Sequence, residues 1–242
     1  MIVYGHRGAR GEAPENTIAG ARHAVSRGVR HLEIDLRLSA DGQLVVVHDP
    51  GLKRTTGERG KVAGTGAARL GRLDARADGP PWPNKRGTGI PTMTALFRAV
   101  PEIRHWQLEL KSLGGRQNPA LAAAVVDWIR VHRPRATVTS SEPELLRAVK
   151  AALPRQSLGF VATTRSPDDV LDSCACDYLI AHWKILDDRS LVRRMRRRGI
   201  HISTWTVNDA SVIERLYQMG VDSVITDYPS MALPLVAALG RS

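Results

Sequence analysis

The sequence predicts an α/β fold around a mainly parallel sheet, because short apolar segments alternate with segments of helical periodicity along most of the 242 residues. This length suits one barrel or doubly wound domain, or two small domains. The predicted strands are Ile2–His6, His31–Leu38, Leu44–His48, Trp106–Lys111, Ala136–Ser140, Leu158–Ala162, Tyr178–His182, His201–Val207 and Ser223–Asp227. Helical patterns between them include Ile18–Arg27, Pro119–Val131, Pro143–Ala152, Ser190–Arg198 and Ala210–Met219. Nine strands are predicted, one more than a closed barrel of eight strands needs, so one of them requires a separate explanation.

A hairpin explains the surplus strand. The dipeptide Asp41-Gly42, a strong two-residue turn signal, follows the second strand. Antiparallel pairing around this turn makes the third strand the returning arm, and counting outward from the turn places His48 opposite Asp35. A tight loop between two parallel strands is the alternative route that brings the same residues together.

Residues 50–91 depart from the alternation of strands and helices. Gly, Pro and Arg dominate this segment, and the stretch from Asp78 to Gly89 has no sustained period. The segment starts directly after His48-Asp49, so we expect it to leave the barrel at the end where functional loops collect. The prediction is one domain, residues 1–242, with an insertion on the active-site side.

The composition argues against a disordered chain and against a transmembrane protein. Hydrophobic residues make up 43% and charged residues 24% of the chain, and no apolar run approaches the roughly 18 to 20 residues of a membrane span. The formal charge of +11 favours anionic partners, although the arginine-rich run 193–198 also suits the C-terminal end of a helix. Cys174 and Cys176 are expected to be reduced thiols, and a start without secretory features predicts a cytoplasmic location.

Carboxylates interrupt two of the apolar strands, in Leu32-Glu33-Ile34-Asp35-Leu36 and in Leu108-Glu109-Leu110-Lys111. Residues two apart in a strand share a face, so Glu33 and Asp35 project to one side together. Burial of such charges in a barrel requires a cation nearby. Because hard divalent metals prefer oxygen ligands, Glu33, Asp35 and Glu109 are candidate ligands of Mg²⁺ or Ca²⁺.

Two histidines and two cations complete the candidate site. His6 and His48 end strands beside these carboxylates in the predicted layout, and an imidazole titrates near neutral pH, so both are candidates for proton transfer. Arg7 and Lys111 are suited to holding phosphate oxygens. The combination predicts metal-assisted phosphoryl chemistry.

The order of the motifs is specific. The chain closely resembles the glycerophosphodiester phosphodiesterase family in His6-Arg7-Gly8, Pro14-Glu15-Asn16-Thr17, Glu33-x-Asp35, His48-Asp49, Leu108-Glu109-Leu110-Lys111, Trp205-Thr206-Val207-Asn208 and the segment from Gly220 to Pro229. Each string alone is weak evidence, but together, in order, they cover nearly the whole chain.

The resemblance implies a distorted TIM-like (β/α)8 barrel that uses one divalent cation. It also implies hydrolysis of glycerophosphodiesters, such as glycerophosphocholine or glycerophosphoethanolamine, to sn-glycerol 3-phosphate and an alcohol. The matching positions imply metal ligands at Glu33, Asp35 and Glu109, catalytic histidines at His6 and His48, and substrate contacts at Arg7, Lys111 and Trp205. We assign His6 as the base and His48 as the acid; the attacking group is either water or the glycerol 2-hydroxyl.

Several polar positions are compatible with more than one role. Many family members have a Ser-Phe pair where this chain has Thr139-Ser140-Ser141, which bears on the glycerol pocket more than on the reaction. Asn208 and Asp227 are equally suited to capping loops and to belonging to the site. His182 is the other histidine that could join it, because it ends a strand beside Trp183.

Two alternative functions compete with this prediction. The first is phospholipase D-like or phospholipase C-like action on lipid phosphodiesters, for which the sequence has no evident membrane-binding helix. The second is a nucleic-acid binder, which the basic charge favours but the aromatic content of 5% and the lack of a recognised motif do not. We therefore expect a small-molecule glycerophosphodiester as the partner, with no nucleic acid and no stable membrane insertion, and leave the oligomeric state open.

Overall fold

Eight parallel strands close into a barrel in the computed structural model, which describes residues 1–112, 118–187 and 189–241. In chain order, the strands are β1 Ile2–His6, β2 His31–Leu38, β3 Leu44–Val46, β4 His105–Leu110, β5 Ala136–Ser140, β6 Ser157–Ala162, β7 Tyr178–His182, β8 His201–Trp205 and β9 Ser223–Thr226. The hydrogen-bonded order is β1-β9-β8-β7-β6-β5-β4-β2, and β1 pairs in parallel with both β2 and β9, which closes the ring. The prediction of a TIM-like barrel is confirmed.

Helices follow most of the strands and cover the outside of the barrel. They are α1 Ile18–Ser26, α2 Lys53–Thr56, α3 Ala67–Leu70, α4 Met93–Ala99, α5 Asn118–His132, α6 Pro143–Ala152, α7 Asp168–Ser173, α8 Arg189–Arg197, α9 Ala210–Gln218 and α10 Pro229–Leu239, with 3₁₀ turns at Val62–Gly64 and Trp183–Asp187. Side-chain oxygens of Thr17, Thr92 and Asp209 accept backbone N–H groups and begin α1, α4 and α9.

Alternation along the strands determines where the site can lie. On β2, Leu32, Ile34 and Leu36 belong to the main apolar core, whereas Glu33 and Asp35 are also buried and, by alternation, point to the other face, into the barrel. Both faces of each strand are covered, so a strand of this barrel reads as an apolar segment except where a functional residue interrupts it. The interruptions in the sequence therefore mark the inside of the barrel.

The hairpin is confirmed, but its predicted register is wrong by one residue. β3 runs antiparallel to β2, with Leu36 opposite Val46, and the Val47 amide donates to the Asp35 carbonyl at 3.0 Å. Asp35 is therefore opposite Val47 and not His48. The reason is a three-residue connection that ends in Gly42, whose φ of 73° is left-handed; a loop of this kind shifts the pairing relative to a two-residue turn.

Residues 50–91 form short helices around a small apolar cluster. The cluster contains the buried side chains of Leu52, Val62, Leu70 and Ile90, which pack with Val45 of β3. The segment continues directly from His48 and Asp49. Its description as an insertion in one barrel domain stays a proposal.

The interior of the barrel is polar at the end opposite the carboxyl ends of the strands. The Tyr4 hydroxyl bonds His105 Nδ1 at 3.0 Å, the His201 ring bonds the Ser223 hydroxyl at 3.0 Å, and the rings of Tyr178 and His201 lie 4.4 Å apart. Burial lowers the pKa of His105 to about 4, and the neighbouring histidines act in the same direction. These histidines fill the bottom of the barrel in their neutral form.

Among the described residues, no helix is both long enough and apolar enough to cross a membrane. The cytoplasmic location stays a prediction.

We predict that acid destabilises the fold through His105. Its pKa is about 4 in the folded protein and ordinarily 6.5, so stability that is present above pH 6.5 is lost as the pH falls towards 4. The difference between urea midpoints measured at about pH 7 and about pH 5 should therefore be smaller in His105→Gln than in the wild type. Thr137→Val keeps the imidazole and removes a hydroxyl 3.5 Å from it, so this control should keep the wild-type difference. An identical pH response in His105→Gln would contradict the prediction.

Candidate active site

Three carboxylates meet at the carboxyl end of the barrel. Glu33 and Asp35 come from β2 and Glu109 from β4, and the strand register places Asp35 beside Glu109. Each side chain offers one oxygen, and these oxygens all lie within 4.8 Å of one another. Glu33 and Asp35 are buried, and Glu109 is half-buried. The three residues predicted as metal ligands are therefore brought together.

Two cations lie against this cluster. Lys111 Nζ is 2.5 Å from Glu109 Oε1 and 3.1 Å from Asp35 Oδ1, and Arg7 Nε is 3.1 Å from Asp35 Oδ2. Burial alone would raise the pKa of Asp35, but Lys111 and Arg7 outweigh it and hold that pKa well below its ordinary value. Of the three carboxylates, Asp35 is therefore the one that both cations contact.

Glu33 has the opposite environment. Burial, and then the charges of Asp35 and Glu109, raise its pKa well above the ordinary value. Its Oε1 is buried without a hydrogen-bond partner among the described residues. A divalent cation between the three carboxylates would supply that oxygen with a partner and offset the repulsion, so the residues present fit Mg²⁺ or Ca²⁺.

His6 is held by a carboxylate that directly follows the last strand of the barrel. Its Nδ1 lies 2.5 Å from Asp227 Oδ1, and the Asn208 side-chain amide donates to Asp227 Oδ2 at 2.8 Å. The other ring nitrogen, Nε2, is 3.8 Å from Glu33 Oε2. A bond to Asp227 at Nδ1 fixes the ring and leaves Nε2 directed at the carboxylate cluster.

His48 has a similar arrangement. Its Nδ1 lies 2.6 Å from Asp49 Oδ1, and the ring lines the same cavity as His6. Burial lowers the pKa of His48, and although Asp35 opposes this shift, the charges of Arg7 and Lys111 add to it. Both predicted catalytic histidines thus have Nδ1 engaged by a carboxylate and Nε2 available.

A cavity of about 110 Å³ joins the charged groups to an apolar wall. The wall is made by Val161, Ile180, Ile225 and Trp205, and the Trp205 indole N–H donates to the Ile180 carbonyl at 3.1 Å. Thr139 also lines the cavity. It belongs to the segment Thr139-Ser140-Ser141, where the resemblance implies a Ser-Phe pair in many family members. His182 lies edge-on to Trp205, with ring centroids 5.2 Å apart, and is not among the described residues that line the cavity.

Residues 6–231 match the family described as the glycerophosphoryl diester phosphodiesterase family. The chain belongs to this family. A glycerophosphodiester phosphodiesterase from Caldanaerobacter subterraneus subsp. tengcongensis is 29% identical over 97% of this chain and 97% of its own length. The solved structure of a phosphodiesterase from Oleispira antarctica, in complex with the product sn-glycerol-3-phosphate, is 28% identical, with a TM-score of 0.87 over 98% of this chain and 97% of that chain. A lysophospholipase D from Mus musculus is 26% identical over 93% of this chain and 82% of its own length.

The sequence prediction of an enzyme of the glycerophosphodiester phosphodiesterase family is confirmed by these comparisons. The barrel brings all the predicted site residues of this family member to one cavity or to its charged border. Their roles in binding and catalysis stay predictions.

The motif Pro14-Glu15-Asn16-Thr17 does more in this family member than begin α1. Thr17 is the N-cap of this helix, and its side-chain oxygen accepts from the Gly20 amide. Glu15 accepts from Arg7 Nη1 at 3.0 Å, and the Asn16 side-chain amide donates to Asp35 Oδ2 at 2.8 Å. Arg7 and Asn16 both have left-handed φ, of 50° and 54°, which is unusual for residues with side chains. The motif therefore also orients the charged border of the site.

Sequence reasoning missed the positioning groups Glu15, Asn16 and Asp49, and left Asn208 and Asp227 undecided. The signal that could have found them is their place inside the ordered motifs: Asp49 is next to His48, Asp227 directly follows β9, and Glu15 and Asn16 directly precede the N-cap Thr17. Asp227 is 13% exposed in its side chain and bonds a predicted catalytic histidine. The structure thus favours membership of the site for Asp227 over a loop cap.

We predict that Asp227→Asn lowers kcat for phosphodiester hydrolysis by at least about a hundredfold, because an amide can donate to His6 Nδ1 and select the wrong tautomer. Binding of substrate should change much less, since Asp227 lies behind the ring. Steady-state kinetics on folded protein, checked by circular dichroism, would measure this. A wild-type kcat in Asp227→Asn would show that the contact has no role in orienting His6.

Proposed function

We propose that this protein hydrolyses glycerophosphodiesters, such as glycerophosphocholine or glycerophosphoethanolamine, to sn-glycerol 3-phosphate and an alcohol. The observation that carries the proposal is the convergence of Glu33, Asp35 and Glu109 with two carboxylate-supported histidines at one cavity. Family membership and a related structure with sn-glycerol-3-phosphate bound support the choice of substrate.

Glu33, Asp35 and Glu109 would hold one Mg²⁺ or Ca²⁺, which supplies charge stabilisation to phosphate oxygens when bound. Arg7 and Lys111 add positive charge at the border of the cavity. Burial alone would lower the pKa of both cations, but the neighbouring carboxylates outweigh it and raise both pKa values, so both stay protonated while substrate binds. Preorganised charge of this kind stabilises charge that develops during displacement at phosphorus.

The two histidines move the protons. One accepts a proton from the attacking hydroxyl, whose oxygen forms the new bond to phosphorus; the other donates a proton to the alcohol oxygen as its bond to phosphorus breaks. Each ring has Nδ1 engaged by a carboxylate, by Asp227 for His6 and by Asp49 for His48, so Nε2 is the reacting nitrogen in both. The assignment of His6 as base and His48 as acid stays a prediction, as does the choice between water and the glycerol 2-hydroxyl.

The apolar wall suits the carbon atoms of the glycerol unit. Trp205 and Ile180 are fixed by the bond between the indole N–H and the Ile180 carbonyl, which makes a rigid flat surface. Carbon-bound hydrogens pack well on such a surface, while the hydroxyl groups remain free to face the charged border. Trp205 is accordingly proposed as a substrate contact.

We predict chelator-sensitive release of glycerol 3-phosphate from glycerophosphocholine. The protein is incubated with glycerophosphocholine, a lysophospholipid or a phosphoinositide, with and without a chelator. Glycerol 3-phosphate is followed with a coupled dehydrogenase, and turnover of the two lipids is followed by mass spectrometry as loss of the intact lipid. Activity on the first substrate alone, lost with chelator and restored by Mg²⁺ or Ca²⁺, is the expected result. Turnover of lipids alone would overturn the proposal in favour of lipid phosphodiester hydrolysis.

We also predict that His6→Ala and His48→Ala each lower kcat by at least about a hundredfold, since each removes one proton-transfer step. Divalent cation affinity, measured by calorimetry, should persist in both variants because the three carboxylates are intact. His132→Ala removes a histidine at the end of α5, outside the cavity lining, and serves as the matched control. Near-wild-type turnover in either site variant would remove that histidine from the mechanism.

A further inference from the structure

Arg54 on α2 connects three carboxylates from separate parts of the chain. Its Nε donates to Asp49 Oδ2 at 2.6 Å, Nη2 to Glu15 Oε1 at 2.7 Å, and Nη1 to Asp78 Oδ2 at 2.6 Å. Nη1 also donates to Glu15 Oε2 at 2.9 Å, so the pair with Glu15 is bidentate. A planar guanidinium with this number of charge-assisted bonds has one orientation available.

The anchor of this arrangement is buried. The Glu15 side chain is only 2% exposed, and it also accepts from Arg7 and lies 2.9 Å from Arg10. Burial would raise the pKa of Glu15, but the bond to Arg54 and the charges of the arginines lower it overall, so the carboxylate is ionised. Glu15 therefore fixes two of the three guanidinium nitrogens, and the third, Nε, presents to Asp49.

Asp49 links Arg54 to a predicted catalytic group. One oxygen of Asp49 accepts from Arg54 Nε and the other lies 2.6 Å from His48 Nδ1. The bonds to Arg54 and to His48, together with the charge of Arg54, lower the pKa of Asp49 to about 2 although burial opposes this. The Asp49 side chain is 27% exposed, and its two described hydrogen-bond partners are Arg54 and His48, so Arg54 is the partner that restrains it from the side away from the imidazole.

We propose that Arg54 is a positioning residue for the reaction: it holds Asp49 in the orientation that keeps one proton on His48 Nδ1, so that Nε2 is the nitrogen that exchanges a proton with the substrate. The residue belongs to the segment 50–91, so this segment contributes to catalysis although its side chains are mostly remote from the carboxylate cluster. The inference rests on the proposed function for its kinetic consequence, but the contacts themselves do not.

The contacts also predict that the fold tolerates the loss of the Arg54 guanidinium. Without Arg54, Glu15 keeps Arg7 and Arg10 as partners, so this buried carboxylate is not left unpaired. Asp49 keeps only His48 among the described hydrogen-bond partners. The loss should therefore appear in the orientation of His48 and not as unfolding of the barrel.

The kinetic test compares Arg54→Met and Arg54→Lys with Arg76→Met. Arg76 lies in the same segment and makes a bidentate pair with Asp74 at 2.7 Å and a bond to the Trp82 carbonyl. None of these described bonds involves His6, His48 or their carboxylates, so Arg76 controls for damage to the segment. With glycerophosphocholine at saturating divalent cation, Arg54→Met should lower kcat roughly 10- to 100-fold and leave KM within about threefold. Arg54→Lys should recover part of the loss, because a single ammonium can reach Asp49 or Glu15 but not both in the same geometry.

The second readout does not depend on turnover. Nitrogen-15 NMR of the imidazoles reports which ring nitrogen carries the proton when His48 is neutral. The wild type and Arg76→Met should show the Nδ1–H form of His48, and Arg54→Met should show an added Nε2–H population. If the wild type hydrolyses no glycerophosphodiester, the proposed function fails, while the tautomer measurement still decides the role of Arg54.

Two results would overturn the role of Arg54. One is a wild-type tautomer and kcat in Arg54→Met, which would show that Asp49 keeps its place unaided. The other is an equal loss of kcat and of thermal stability in Arg54→Met and Arg76→Met, which would show that Arg54 only supports the folding of the segment. A kcat loss confined to Arg54→Met, with the tautomer change, is the result that the contacts predict.

Discussion

The burial of three carboxylates at one end of the barrel is the constraint on which the site depends. Glu33, Asp35 and Glu109 offer oxygens within 4.8 Å of one another, with two of the side chains removed from solvent. Uncompensated, such a cluster would cost several kcal/mol for each charge. The fold offsets this with Arg7 and Lys111, which the ends of β1 and β4 place against Asp35.

Polar side chains inside the barrel are stabilised differently at its two ends. At the bottom, polar rings remain neutral and bond one another, as Tyr4 does with His105. At the mouth, charged side chains bond opposite charges, as Lys111 does with Glu109. A neutral network can be completed by the chain alone, whereas at the mouth one oxygen of Glu33 has no hydrogen-bond partner among the described residues. The mouth is therefore the end that is built to receive a ligand.

The sequence was sufficient for the strands and for the charged residues at the cavity, because a charge inside an apolar strand is costly unless a partner or a ligand meets it. Glu33, Asp35 and Glu109 are such cases, and alternation alone put the first two on one face. It was not sufficient for the register of the β2–β3 hairpin, because Asp41-Gly42 fits a two-residue and a three-residue loop equally well. The pairing of Asp35 with Val47 distinguishes them, as does Asp41, which lacks the positive φ that a two-residue type I′ turn requires at that position.

The contacts of the groups behind the histidines could not be predicted for a different reason. Asp227 is 221 residues from His6 along the chain, and Arg54 is 39 residues from Glu15, so closure of the barrel and the path of the segment 50–91 decide these contacts. No local pattern records them. Tertiary geometry supplies the orientation of groups whose chemical identity the sequence already shows.

The charges of the cluster also bear on which anion fits. Three carboxylates with Arg7 and Lys111 leave one net negative charge, and the raised pKa of Glu33 shows that the cluster by itself favours taking up a proton there. The proposed divalent cation would release that proton and reverse the net charge to one positive. A phosphodiester carries a single negative charge and brings these five side chains and the cation to neutrality, whereas a phosphomonoester carries nearly two and leaves them negative. On the proposed function, we therefore expect this group of charges to favour a phosphodiester substrate over a phosphomonoester product.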